Sequence, residues 1–251
     1  MTDFITLNAE NIATEHICCA LSDPKGRCGS AAKKDWLRER FPEGLVFRKA
    51  AVRGKVFIEY LPAEKAWFPV EAEGFTFINC LWVAGSYQGQ GYGRKLLEEC
   101  VAASRAKGKR GVVAVSSAKK RPFLSDKRFL EKHGFTVCDR AEPYFELLCL
   151  KFDAGSPEPR FRENARSLTV PQAEGLALYY SHQCPFTADY SGIVARQAQA
   201  LGVPVYLKRY ESCDEAQQAP CPASTFSLFY RGRFVTHEIP TEKKLRTLLN
   251  L

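Results

Sequence analysis

The chain has 251 residues, 45% hydrophobic and 25% charged, enough for a full core and one or two domains, which excludes a disordered or fibrous polymer. No apolar run approaches the ~18 residues of a membrane span, and the opening MTDFITLNAENIATEH is too polar for a signal-peptide core, so a soluble, cytoplasmic protein is expected. The formal net charge of +8 favours anionic ligands, but the basic runs KGKR (107–110) and KKR (119–121) are local, and no nucleic-acid recognition motif accompanies them.

In chain order, FITLNA (4–9) reads as a strand, ENIATEHICCAL (10–21) as a helix and KKDWLRERF (33–41) as a second helix. GLVFRKAAV and KVFIEYLP, joined at Arg53 and Gly54, form a hairpin pattern. FTFINCLWV (75–83) is nearly all apolar and β-branched, as in a central strand buried on both faces. A Gly-rich turn leads into an amphipathic helix at about 91–107, then come strand GVVAVSS, helix FLSDKRFLEKH and strands FTVCDR and FELLCLKF. The stretch 154–173 carries three prolines and little periodicity and is expected to link two domains, 1–153 and 174–251. The second domain reads β-α-β-α-β-β-α, from LALYYS to TEKKLRTLLN.

Ten cysteines occur without a CxxC or Cys/His zinc spacing, so reduced thiols and no structural metal are expected. Directly after the central strand, AGSYQGQGYGRKLLEE spells Q-x-x-G-x-G through Gln88, Gly91 and Gly93, with Gly89 between them. Glycines allow a tight turn, and the unbonded amides of a first helical turn attract phosphate oxygens, with Arg94 and Lys95 nearby as reinforcement. Neither the Rossmann nor the P-loop spacing is present. Glu59, within the apolar strand KVFIEYLP, is a candidate general base, and Asn79 and Cys80 are candidate substrate contacts. Cys184, after a strand and before a helix, stands where helix amides favour a thiolate.

YQGQGYGRKLLEECVAASRAKG, GVVAVSS and FLEKHGF together resemble the acetyl-coenzyme A signature of the GCN5-related N-acetyltransferases (GNAT), and the element order over 1–153 is similar to theirs. The resemblance implies an α/β (α+β) fold with a mixed central sheet flanked by helices, and acetyl-CoA as cofactor. It also implies a pyrophosphate held by the amides of Gln88, Gly89, Gln90, Gly91, Tyr92, Gly93 and Arg94, with the pantetheine arm along Leu81, Trp82 and Val83. The implied reaction is acetyl transfer to a primary amine of a small molecule or peptide, by direct attack in a ternary complex. Family members often place a tyrosine, as proton donor, where this chain has Leu130, which leaves Ser125, Tyr92 or water for that role. The same substitution motivates an alternative, a non-catalytic acyl-CoA sensor.

YYSHQCPFTADY resembles the C-x-x-C turn of thioredoxin-like domains with Thr187 at the second cysteine, and Pro222 stands for that fold's cis-proline. Over the whole chain the resemblance is to acetyltransferases carrying a YoaP-like C-terminal domain. It implies a small thioredoxin-like module and, as a further alternative, thiol redox chemistry at Cys184, with Cys213 or Cys221 as resolving thiols.

Overall fold

The computed structural model describes residues 3–19 and 28–251, which divide into two compact units. The first runs to Phe161, and the second comprises Arg162–Leu251 together with residues 28–33 and 67–69. The chain passes in order through β1 (Phe4–Leu7), α1 (Gly29–Arg40), β2 (Val46–Ala50), β3 (Val56–Pro62), β4 (Val70–Glu71), β5 (Phe75–Val83) and α2 (Tyr92–Ala106). There follow β6 (Gly111–Ser117), α3 (Lys127–Lys132), β7 (Thr136–Ala141), β8 (Phe145–Lys151) and β9 (Arg160–Phe161). No helix among the described residues is long and apolar enough to cross a membrane.

The first unit is built on a seven-stranded mixed sheet in the order β1-β2-β3-β5-β6-β8-β7. Every pairing in it is antiparallel except β5 with β6. β3 and β6 are buried along almost their whole length, as their mostly apolar sequences favour. One face of the sheet packs Val56, Ile58, Ile78, Val112, Ala114 and Leu148 against Leu96, Leu97 and Cys100 of α2 and Leu130 of α3. Full burial of each such leucine contributes about 1.5–3 kcal/mol. On β2, Lys49 lies in cross-strand register with Phe57 and Phe47 with Glu59, and the Phe47 and Phe57 rings stack at 4.8 Å.

Three expectations for this unit need correction. Residues 10–19 of the expected first helix form turns instead, and residues 20 and 21 lie outside the described residues. The Asn8 and Asn11 side chains are the cause: Asn8 Oδ1 accepts from the Glu10 and Asn11 amides, and Asn11 Oδ1 accepts from the Asn8 amide. Such local bonds offer the backbone an alternative to the helical ladder. The expected helix FLSDKRFLEKH (123–133) shortens to α3, because Phe123 sits at φ 63° and Asp126 caps the helix by accepting from the Phe129 amide at 3.1 Å. Within the expected linker, β9 pairs with β4 and Ala165 is fully buried in a short 3-10 turn, so 154–173 is not a bare connection.

The second unit follows the sequence order: β10 (Leu176–Tyr180), α4 (Pro185–Ala200), β11 (Val205–Arg209), α5 (Cys213–Gln217), β12 (Phe226–Tyr230), β13 (Arg233–Thr236) and α6 (Glu242–Leu249). Its sheet runs β11-β10-β12-β13, with β10 parallel to β11 and antiparallel to β12. Leu176 and Leu178, Val194 and Ala198, Phe226 and Leu228, and Leu245 and Leu249 make its core. The cis peptide bond among the described residues precedes Pro143; Pro222 is trans, contrary to expectation.

Candidate active site

The site grows from two irregularities of β5. The first is a bulge: Glu59 pairs with Cys80 but its neighbour Tyr60 pairs with Ile78, so Asn79 is an extra residue in the ladder. The second is a parting of parallel strands. β5 and β6 pair only at Phe75–Phe77 with Gly111–Val113, yet β5 continues to Val83 and β6 to Ser117. Beyond Phe77 and Val113, then, the sheet opens in its middle. Burial along β5 follows the opening, since Phe75–Ile78 are buried and Asn79–Val83 only half-buried.

The open end leads into the glycine turn. Gly89 (φ 76°) and Gly91 (φ 81°) occupy the left-handed region, and Gly91 is the N-cap of α2. A Cβ built on either would meet nothing within 4 Å, so clear space lies before these backbone groups. No side chain caps α2, and its first turn carries no acidic residue. The first amides of the helix and its dipole are therefore left for an anionic ligand. The turn is braced from within by Gln88 Nε2 donating to the Val83 carbonyl at 3.0 Å and Gln90 Nε2 to the Ser86 carbonyl at 2.5 Å. Arg94 is exposed and pairs along the helix with Glu98 at 2.7 Å, so its amide rather than its guanidinium faces the turn's chemistry. The Tyr92 ring packs edge-on against Phe4 and Tyr87.

Across the opening, the chain after β6 folds back so that the Ser125 amide donates to the Val115 carbonyl at 3.1 Å, while Ser116 Oγ donates to the Ser125 carbonyl at 2.6 Å. Because β8 takes the other edge of β6 over Gly111–Ser117, these bonds set Ser125 on the edge that β5 has left. Leu130, at the tyrosine position of the signature, is 2% exposed and part of the hydrophobic core, so no proton donor stands there.

On the other face of β3, Glu59 is 2% exposed, and Asn79 Nδ2 donates to its Oε1 at 2.9 Å. The bulge turns Asn79 toward the carboxylate, and Asn79 Oδ1 is buried without a hydrogen-bond partner. Cys80 is beside them, and Trp82, in register with Phe57, carries the Lys55 ammonium 4.7 Å above its ring. Sequence reasoning missed Lys55 and Ser116; the serines closing the otherwise apolar β6 were the available signal for the second.

The sequence pattern of the Acetyltransferase (GNAT) family matches residues 11–135, and the YoaP-like pattern matches 204–246. The chain is 42% identical over 247 residues to the protein described as "Uncharacterized N-acetyltransferase YoaP" of Bacillus subtilis (strain 168), covering 98% of each. The chain belongs to the GNAT acetyltransferase family. Its fold is also similar to a GNAT family acetyltransferase from Brucella melitensis in complex with acetyl-CoA (22% identity, TM-score 0.40, 63% of this chain and 92% of that one). A second similar structure is the PaiA N-acetyltransferase from Thermoplasma acidophilum in complex with coenzyme A (18% identity, TM-score 0.41, 61% and 99%).

Of the residues singled out in this GNAT chain, Asn79, Cys80, Leu81, Trp82, Val83, Gln88–Arg94 and Ser125 fall along the opening or the turn that continues it, while Glu59 lies on β3, on the other side of β5, against the bulge at Asn79. Cys184 belongs to the second unit, where it is the N-cap of α4. There Thr187 Oγ1 donates to the Ser181 and Cys184 carbonyls at 2.6 and 2.7 Å, a structural part in place of a second thiol. Cys221 is fully buried, and burial pushes its thiol up to about 11.

Proposed function

We propose that this GNAT chain transfers the acetyl group of acetyl-CoA to a primary amine, by direct attack within a ternary complex. The single observation that carries the reading is the premature end of the β5–β6 ladder, which opens directly onto the bare N-terminus of α2. Acetyl-CoA fits what is there: a diphosphate suits the cleared space before Gly89 and Gly91, and an amide-bearing arm suits strand edges that lack a partner. When bound, it supplies an acetyl group activated as a thioester.

The chain's own residues then have separable tasks. The amides of Gln88–Arg94 hold the diphosphate, and Leu81, Trp82 and Val83 line the arm. Glu59, buried beside the bulge, receives the proton of the attacking ammonium directly or through one water, and Asn79 fixes its carboxylate by the 2.9 Å bond while offering Oδ1 to a second N–H of the amine. Ser125, on the facing strand edge, returns a proton to the departing thiolate. Placement of the amine against the thioester supplies much of the rate.

The strand order and directions of the second unit support a thioredoxin-like reading of it, with Cys184 at the start of α4, and ten cysteines carried as thiols suit the cytoplasm. Isothermal titration with acetyl-CoA tests the first half of the proposal, and absence of binding at millimolar ligand rejects it. Release of free thiol over a panel of amines tests the second. Binding without turnover on any amine favours the acyl-CoA sensor instead, the reading that a core leucine at position 130 supports.

A further inference from the structure

A cluster of titratable groups that acetyl transfer does not use fastens the turns after β1 to the sheet. Lys49 is 1% exposed and shares a face with Phe57, its partner in register, and with Phe47 and Glu59, the next pair on that face. There Lys49 Nζ reaches Glu15 Oε2 at 2.7 Å and lies 3.2 Å from His16 Nε2. The backbone partners of the His16 ring fix its tautomer. The Cys18 amide can only donate, and it does so to Nδ1 at 3.2 Å; the Val52 carbonyl can only accept, and it stands 3.0 Å from Nε2. The ring is therefore neutral, with its one proton on Nε2. Cys18 itself sits at φ 54°, a strained backbone for an L-residue, and Ile17, Cys18 and Cys19 are all buried.

The ring in this position has no place for a second proton. On Nδ1 it would set one N–H against the Cys18 N–H, and the imidazolium so formed would stand 3.2 Å from the Lys49 ammonium. The other charged groups around it are Glu15, Arg53 in the turn after β2, and Lys34 of α1, whose Nζ donates to the Ala13 carbonyl at 3.0 Å. The Cys18 thiol, which burial pushes up to about 11, stays uncharged. Three cations against one carboxylate make this a poor site for a fourth cation.

We propose that His16 is an acid-released latch: a second proton expels its ring, frees the Cys18 amide and lets residues 14–19 leave the face of the sheet that carries Lys49 and Glu59. The latch does not depend on the acetyl-transfer reading. Burial, and then Lys49, hold His16 below its ordinary 6.5 while latched, so the released segment binds the proton more tightly and acidification favours release. Glu15 is held below 4.5, first by its hydrogen bond to Lys49, and keeps its charge to a lower pH, so the response near pH 5 belongs to His16. A latched ring that takes no proton, against a released one that titrates at 6.5, gives about a 30-fold rise in the released fraction between pH 7.5 and pH 5.0.

Cys18 and Cys19 report the release, since they share one tryptic peptide, residues 1–25, with no other cysteine. The test labels the full-length protein with 4,4'-dithiodipyridine, which reacts with accessible thiols in acid as well as at neutral pH, and follows each tryptic peptide by mass spectrometry. Every rate is divided by that of glutathione at the same pH. The normalised rate for residues 1–25 is expected to be about 30-fold higher at pH 5.0 than at pH 7.5, while Cys100, fully buried in the core under α2, stays unlabelled at both. His16→Gln can still accept and donate but gains no proton, so its two rates are expected to agree within about twofold, whether or not the glutamine latches. A wild-type rise of less than about threefold, a rise in His16→Gln equal to that of wild type, or labelling of Cys100 in step with Cys18 and Cys19 overturns the proposal.

Discussion

Gly91 and Gly93, two residues apart in one motif, are expected to respond in opposite ways to the same substitution. In Gly91→Ala the new methyl group meets open space, but the backbone sits at φ 81°, where an L-residue costs about 1–2 kcal/mol. At about 2–4 °C per kcal/mol for a chain of this size, the unliganded variant melts about 2–8 °C lower if it retains that geometry. If instead it relaxes, the first amides of α2 turn away from the space before them. Loss of one hydrogen bond to a charged group costs about 1.5–3 kcal/mol, which raises the Kd for acetyl-CoA about 10- to 150-fold. In Gly93→Ala the methyl group points inward, 3.5 Å from the Phe129 ring and 3.7 Å from Val83, both ordinary contacts, and the left-handed region is not involved. Reduced freedom of the unfolded chain then stabilises it by about 0.4–1 kcal/mol. Its Kd is expected to stay near wild type. Differential scanning calorimetry and isothermal titration on the two variants read all four quantities. Equal loss of affinity in both, or none in Gly91→Ala, refutes the assignment of the phosphate site to these amides.

Glu59→Gln keeps the size of the side chain and removes its capacity to take a proton, so kcat is expected to fall about 10²- to 10⁴-fold with whichever amine of the panel turns over, while acetyl-CoA affinity is retained. A fall of less than threefold, measured by thiol release, rules Glu59 out as the base. Leu130→Tyr, which restores the signature's tyrosine, is expected to lose about 1–3 kcal/mol of stability by urea unfolding and to gain no turnover, because the position is packed in the core. Increased turnover at unchanged stability contradicts that packing. Stability also depends on acid through the cluster around Lys49. His16 is lowered from 6.5 chiefly by burial, and Glu15 is lowered from 4.5, first by its hydrogen bond to Lys49, whose Nζ is 2.7 Å away. Each group binds its proton more weakly folded than unfolded, so its contribution is present at neutral pH and is lost on acidification, His16 first and Glu15 lower down. His16→Gln is therefore expected to flatten the fall in unfolding free energy between about pH 7 and pH 5, and an unchanged slope there contradicts the assignment.

The strands were readable because apolar and β-branched residues fill most of their length: Phe75–Val83 and Gly111–Ser117 could hardly be anything else. The glycine turn was readable for a different reason, since a backbone that must turn left-handed twice before a helix leaves its mark as Gly89 and Gly91. Residues 10–19 misled because their apolar spacing suits a helix while two asparagines three residues apart settle the local competition through side-chain bonds. The bulges were invisible, because an extra residue in a ladder depends on the partner strand and not on the strand that bears it. Glu59 exemplifies the limit: its place in an apolar strand made it a candidate base, and only the register of β5 reveals that Asn79 covers its carboxylate.

A sheet that parts in its interior has, in effect, a raw edge at its centre. Amide groups there exchange with solvent more readily than those of any neighbouring strand, unless something supplies the missing bonds. A guest whose own peptide-like links lie along Asn79–Val83 would serve as a temporary strand, closing the seam and tying the two halves of the sheet together. Occupancy and rigidity would then rise as one quantity, and slowed hydrogen exchange along that single edge would report the guest's arrival even before any acetyl group has moved.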